Sequence, residues 1–328
     1  MKFQEDSFIE QLQKYFSPPD PIFAIGDDCA VIKGENGQAW LVTTDALTEG
    51  IHFLKEQIPP KDLGYKTVAV SVSDVAAMGG TPKYAFLSLA LPKEIEKVWV
   101  DKLIEGIKEA SAHWHLLLLG GDTVSSKRDL FLNLTLIGTA HFDQIKYRSN
   151  ALNGDVLCVT GYLGNSGGGL KALQENVQKT KEVQELIYAH FHPEPQPEQG
   201  AWLAKHAEVH AMMDISDGLQ CDLRRLLKSS KKGAVVEVSQ VPISACLSRV
   251  SEEFKWDPLE IALIGGEDYC LLLTIASDAF DAIQREFQNT FQLPLHAIGR
   301  ITNEALNIAY HRDGKEIQLN YSSFNHFQ

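Results

Sequence analysis

Apolar positions along this chain change period several times, and each change marks an element. Residues 5–16 carry Phe8, Ile9, Leu12, Tyr15 and Phe16 at helical spacing. That pattern predicts an amphipathic helix, ended by Pro18, Pro19 and Pro21. Short apolar runs at 29–32 and 39–43 read as strands. Residues 62–78 are rich in small and β-branched side chains and close on Gly79-Gly80, which predicts a helix with a glycine stop. Residues 83–91 alternate as a strand does, up to Pro92, and 93–113 return to helical spacing through Val98, Leu103 and Ile107. Strands at 116–119 and 130–140 follow.

The periodicity lapses over 141–154, and Asn153-Gly154-Asp155 marks a turn. A domain boundary is expected there, with units at 1–140 and 150–328. The second half restarts with a strand at 156–160, a glycine-rich stretch and a helix. Two more helices flank the proline-rich loop 192–197. Strand-like runs at 211–215, 234–238, 269–275 and 295–300 alternate with helices, and Asp313-Gly314 turns between short final strands. Both halves mix strand and helix without a strict βαβ rhythm, so the expected class is two-domain α/β shading into α+β.

Composition narrows the partners. The 328 residues are 44% hydrophobic and 22% charged, ordinary for a globular protein long enough for two domains. A net charge of −13 argues against nucleic acid or an anionic membrane as the main partner. Five cysteines without a C-x-x-C pair point to a reducing cytoplasm, and the start Met1–Asp6 lacks the apolar core of a signal peptide.

Acidic turns carry the candidate chemistry. They are Gly26-Asp27-Asp28, Thr43-Thr44-Asp45, Ser73-Asp74, Gly120-Gly121-Asp122-Thr123, Asp214-Ile215-Ser216-Asp217-Gly218 and Gly265-Gly266-Glu267-Asp268. Most are expected where an apolar run ends, at the mouth of a sheet where ligands bind. A lone Asp-Gly is usually just a turn, but these have apolar flanks and so sit at the edge of a core. Carboxylate and hydroxyl oxygens suit Mg²⁺, which commonly escorts polyphosphate. Two carboxylates ~4 Å apart repel by roughly 4 kcal/mol at an effective dielectric of 20, so such a site is loose without cations.

Several other chemistries are excluded. Gly164–Gly169 lacks the Walker lysine, since Leu170 stands in its place, and no G-x-G-x-x-G opens a helix after the first strand. The stretch 164–169 either caps a phosphate at a helix N-terminus or is a tight strand-to-helix turn. The pairs His113/His115, His190/His192 and His206/His210 have no cysteine partners and suit surface or capping roles. His52 follows the Thr43–Gly50 segment closely and is either functional or packed.

Together these motifs, with His52-Phe53, Ser73-Asp74-Val75-Ala76-Ala77-Met78-Gly79 and Glu267-Asp268-Tyr269, resemble the thiamine-monophosphate kinase family. That family shares an ATP-binding superfamily with aminoimidazole ribonucleotide synthetase and selenophosphate synthetase. The resemblance implies an N-terminal α/β domain whose small sheet pairs across a homodimer, and a C-terminal α+β domain with helices on a mixed sheet. It implies direct in-line transfer from ATP to thiamine monophosphate, assisted by several Mg²⁺, giving thiamine diphosphate. It carries over Asp28, Thr43, Thr44, Asp45, Asp74, Asp122, Asp214 and Asp217 as metal ligands. Gly121, Asp122, Arg148 and Ser216 are carried over to ATP, and His52, Glu267 and Tyr321 to the substrate. The family often has tryptophan where Tyr321 stands; either ring can stack on a thiamine ring. No distinct general base is expected, because the acceptor is a phosphate oxygen already ionised at neutral pH.

Overall fold

The computed structural model describes residues 5–16, 22–319 and 321. Pro18, Pro19, Pro21 and the tail beyond Tyr321 lie outside the described residues. The first half contains α1 (Glu5–Tyr15), β1 (Ile22–Phe23), β2 (Ala30–Lys33), β3 (Gln38–Thr48), α2 (Pro60–Ala77), β4 (Thr81–Pro92), α3 (Lys97–His113), β5 (Leu117–Ser126) and β6 (Phe131–His141). Its six strands form one sheet in the order β1-β2-β3-β6-β4-β5. All neighbours are antiparallel except β4 and β5.

β3 buries Ala39, Leu41, Thr43 and Leu47 while Trp40 and Thr44 face outward, the period of two that a one-sided sheet requires. α2 covers the inner face. It is buried from Leu63 to Ser73 without an amphipathic stripe, because it is packed from every side. Its crossing with α3 depends on two glycines. A Cβ on Gly64 would stand 2.1 Å from the Leu103 carbonyl oxygen, and one on Gly106 would stand 1.8 Å from that of Lys61.

Three of the acidic "turns" lie inside regular elements. Thr43–Asp45 sits mid-strand in β3, and Ser73-Asp74 sits in the last turns of α2. The strand expected to stop at Leu119 instead runs through Gly120-Gly121-Asp122 to Ser126. Glycine permits this: a Cβ on Gly121 would fall 1.7 Å from the Leu87 carbonyl oxygen of the neighbouring strand. Local sequence signals a turn there, and close strand approach overrides it.

The second half contains β7 (Val156–Val159), α4 (Asn165–Gln174), α5 (Lys181–Phe191), α6 (Pro197–Leu203), β8 (Val209–Asp214), α7 (Leu219–Ser230), β9 (Gly233–Glu237), α8 (Ala245–Phe254), α9 (Pro258–Ile264), β10 (Leu271–Ile275), α10 (Phe280–Phe291), β11 (His296–Thr302), β12 (Ile308–Arg312) and β13 (Lys315–Ile317). Its mixed seven-stranded sheet runs β13-β12-β9-β11-β7-β10-β8. β10 is buried on both faces: Leu272 packs with Leu219, Leu223 and Leu226 of α7, and Leu271 and Leu273 pack with Ile283 and Phe287 of α10. Ala76 and Ala77 of α2 join that second cluster through Val209 and Met212 of β8, so the end of α2 meets the end of β8. The carboxylates gather at that meeting point.

Candidate active site

Asp28 precedes β2, Asp74 lies in the last turn of α2 and Asp214 ends β8. Their carboxylate oxygens lie within 4.8 Å of one another. Hydroxyls from the first half support them. Ser73 Oγ donates to Asp214 Oδ2 at 2.6 Å, Thr43 Oγ1 donates to Asp74 Oδ2, and Ser71 Oγ donates to Asp45 Oδ2 at 2.8 Å. Burial is the main reason that Asp74 and Asp214 are held well above the usual carboxylate range and that Asp28 and Asp45 are raised. For Asp74, repulsion from Asp45, Asp214 and Asp28 adds to that burial. Asp28 Oδ2 is buried with no hydrogen-bond partner among the described residues. An orphaned carboxylate oxygen amid hard oxygen donors fits a divalent cation such as Mg²⁺.

Asp217 belongs to a neighbouring group with Cys221 and Asp222. Arg225 closes it, with Nη1 at 2.5 Å from Asp217 Oδ2 and 2.9 Å from Asp222 Oδ1. Fully buried Asp222 accepts the N–H groups of Ser216 at 3.0 Å and Asp217 at 2.9 Å, fixing the 214–218 turn. Sequence reasoning missed Asp222; a carboxylate in the first turn of a helix that follows an acidic turn was the available signal.

A cleft of about 510 Å³ opens beside the cluster. Asp45, His52, Ser216, Asp217, Glu267 and Lys171 are among its lining residues. His52 accepts the Thr48 N–H at 3.0 Å through Nδ1. Glu267 meets Lys66 and His190 on one oxygen: Oε2 lies 2.8 Å from Lys66 Nζ and 3.1 Å from His190 Nδ1. Against the upward push of burial, Lys66 and His190 bring its carboxyl down to about 2. Lys66 itself is 1% exposed.

The structure does not bring every predicted residue into this group. Thr44 lies on the outer face, with its hydroxyl 3.1 Å from that of Thr135. Gly121 and Asp122 lie on β5, level with Asp45 but three strands away through Leu134 and Leu87, roughly 14 Å at ordinary strand spacing. Tyr321 is not among the residues lining the cleft. Its hydroxyl donates to Asp257 Oδ2 at 2.8 Å, beside the start of α9. The open question at 164–169 closes on the turn: Asp268 accepts the Gly164 N–H at 2.7 Å and the Ser166 N–H at 3.4 Å, filling the N-terminus of α4 with a protein carboxylate.

The chain matches known proteins along most of its length. Family models described as AIR synthase related protein, N-terminal domain and C-terminal domain, match residues 26–140 and 153–311. A thiamine-monophosphate kinase of Buchnera aphidicola is 37% identical over 100% of both chains, and that of Escherichia coli K12 is 34% identical over 94% of this chain and 93% of its own. The chain belongs to the thiamine-monophosphate kinase family. A solved structure of AaThiL complexed with AMPPCP and TMP superposes with a TM-score of 0.87 at 31% identity, covering 100% of this chain and 99% of that one. Lys66 and Ser71 are polar α2 residues that sequence reading passed over, and Ser73 was read only as part of an acidic motif. They occupy a stretch that reads as a buried helix, where a polar side chain is informative because burial demands a partner.

The electrostatics give a pH dependence. Burial pushes Asp27, Asp222 and Asp268 up to about 7 in the folded protein. A carboxyl raised on folding contributes stability at low pH that is lost as pH rises through the folded value. His190, lowered by burial and by Lys66, acts in the opposite sense but is outnumbered. The metal-free protein is therefore expected to melt at a higher temperature near pH 6 than near pH 8, by about one or more degrees, with the gap narrowing in Mg²⁺. Calorimetry at the two pH values, with and without Mg²⁺, checks this.

Proposed function

We propose that this cleft transfers the γ-phosphoryl group of ATP to the phosphate of thiamine monophosphate, giving ADP and thiamine diphosphate. The carrying observation is full-length relatedness to thiamine-monophosphate kinases at 37% and 34% identity, together with the TM-score of 0.87 to AaThiL complexed with AMPPCP and TMP.

Asp28, Asp74 and Asp214 would hold Mg²⁺, with Asp45, Thr43 and Asp217 flanking them. When bound, Mg²⁺ neutralises the two anionic phosphates as they approach. The chain's own groups do the rest. Arg148 offers a planar guanidinium for charge-assisted bonds to phosphate. Ser71, Ser73 and Thr43 orient the carboxylates by donating to them. His52 and Glu267 line the cleft from opposite halves, where they would face the substrate. The acceptor phosphate oxygen needs no proton removed, so positioning replaces a general base.

We also assign a homodimer and a cytoplasmic location. Trp40, Phe86, Leu118 and Val124 are exposed on the outer face or free edge of the first sheet, and a second copy of that sheet would cover them. No helix among the described residues is long and apolar enough to cross a membrane. The five free cysteines suit a reducing compartment.

The test is ADP release by the purified protein with ATP and Mg²⁺. Release is expected only when thiamine monophosphate is added, with thiamine diphosphate formed in equal amount. Release without it, or none with it, sinks the reading.

A further inference from the structure

Sequence resemblance assigns Asp28 to a cation and Arg148 to the nucleotide, yet the structure sets these two residues against each other. Arg148 follows β6 in the loop to the second sheet, with its side chain 15% exposed. Its carbonyl oxygen accepts the Ser230 hydroxyl at 2.8 Å, which fixes the backbone. Its Nη2 donates to Asp28 Oδ1. The near end of the side chain is held by Asp27, which neither set of predicted ligands includes. Asp27 accepts the Arg148 backbone N–H at 3.2 Å on Oδ2 and the Nε–H at 3.3 Å on Oδ1.

This arrangement divides the work between adjacent carboxylates. Asp27 holds the backbone N–H and the Nε–H; because the guanidinium is one rigid plane, Nη2 leaves Asp28 by a turn about Cδ–Nε that gives up the Nε–H bond and keeps the backbone one. Asp28 offers one oxygen to that Nη2 and keeps the other, Oδ2, buried and unpartnered, and its carboxylate has one oxygen within 4.8 Å of one each from Asp74 and Asp214. A guanidinium and a divalent cation placed on one carboxylate compete for the same negative charge and repel each other.

We propose that Arg148 is the resident counter-cation of Asp28 in the nucleotide-free protein, positioned by Asp27, and that it leaves Asp28 for the nucleotide's phosphates as the site loads. The proposal rests on the reading of Asp28 as a cation ligand and Arg148 as a phosphate contact. It implies reciprocal coupling: nucleotide draws the guanidinium away and uncovers Asp28, so cation and nucleotide each strengthen binding of the other. Asp27 is a positioning residue; its Oδ1 also accepts the Asp28 backbone N–H at 3.3 Å, a bond that the amide oxygen of asparagine can keep, so Asp27→Asn reports on its hold on Arg148.

The experiment measures Mn²⁺ binding by electron paramagnetic resonance, with and without a β,γ-methylene analogue of ATP. Without nucleotide, Arg148→Ala is expected to bind Mn²⁺ roughly fivefold tighter than wild type, because a competing cation is gone. With the analogue, the same variant is expected to bind Mn²⁺ more weakly than wild type. A positive charge that merely stands nearby would make both values tighter, and that outcome overturns the proposal, as does an unchanged nucleotide-free value. Asp28→Asn serves the underlying reading: if it retains wild-type Mn²⁺ binding, the cation assignment itself has failed. For Asp27→Asn, the KM for ATP should rise several-fold with the KM for thiamine monophosphate unchanged. Adding Asp27→Asn to Arg148→Ala should cost nothing further. A double variant clearly worse than Arg148→Ala alone overturns the positioning role.

Discussion

Asp45→Asn is expected to lower turnover by roughly a hundredfold, the upper end of what disturbing a metal site's surroundings costs, while leaving the fold intact. Asp45 lines the cleft, accepts the Ser71 hydroxyl and contributes to the repulsion that raises Asp74. Asparagine keeps an oxygen for Ser71 but carries no charge for Mg²⁺. Loss of a like charge relieves its neighbours, so the metal-free variant should melt at or slightly above the wild-type temperature. Steady-state kinetics at saturating Mg²⁺, alongside thermal melts, separate the two effects. Turnover above about a tenth of wild type would remove Asp45 from the catalytic set.

Glu267→Gln is expected to have the largest effect on stability. Lys66 Nζ is buried and has two acceptors, Glu267 Oε2 at 2.8 Å and the His190 carbonyl oxygen at 3.1 Å. Glutamine leaves that ammonium without a countercharge, and breaking one partner of a buried pair costs about 3–5 kcal/mol. Adding Lys66→Met removes the stranded charge, so the double variant should recover most of the loss. The KM for thiamine monophosphate distinguishes the carboxylate's two roles. If Glu267 faces substrate, that KM stays raised in the double variant even though the melt recovers. A KM that recovers with the melt would make Glu267 a structural residue only. Glu267 can serve both because Lys66 and His190 share Oε2, leaving Oε1 without a hydrogen bond among the described residues.

Amphipathic and alternating segments were legible in the chain itself. α1, α3 and the alternating β4 and β6 fall within a few residues of where periodicity puts them, because one buried face imposes its period on the sequence. The acidic motifs were equally legible as chemistry, since oxygen-rich side chains beside apolar runs have few other uses. Their conformations were not. Gly120-Gly121-Asp122 reads as a turn and is strand, since the glycine serves close approach to Leu87 rather than chain reversal. Gly164–Gly169 reads equally as a phosphate cradle, and only the arrival of Asp268, more than a hundred residues later in the chain, fills it.

The sequence by itself determined the alternation of elements, the hard-oxygen character of the site and the family. Tertiary structure decided which oxygens meet. Asp28, Asp74 and Asp214 converge because α2, buried on all sides, carries its last turns to the end of β8. It also decided that Thr44 faces away, that Asp122 stands at the sheet's edge, and that Lys66 and Asp27 hold Glu267 and Arg148. Such pairings join residues up to about two hundred positions apart, and local propensity carries no information on contacts of that span.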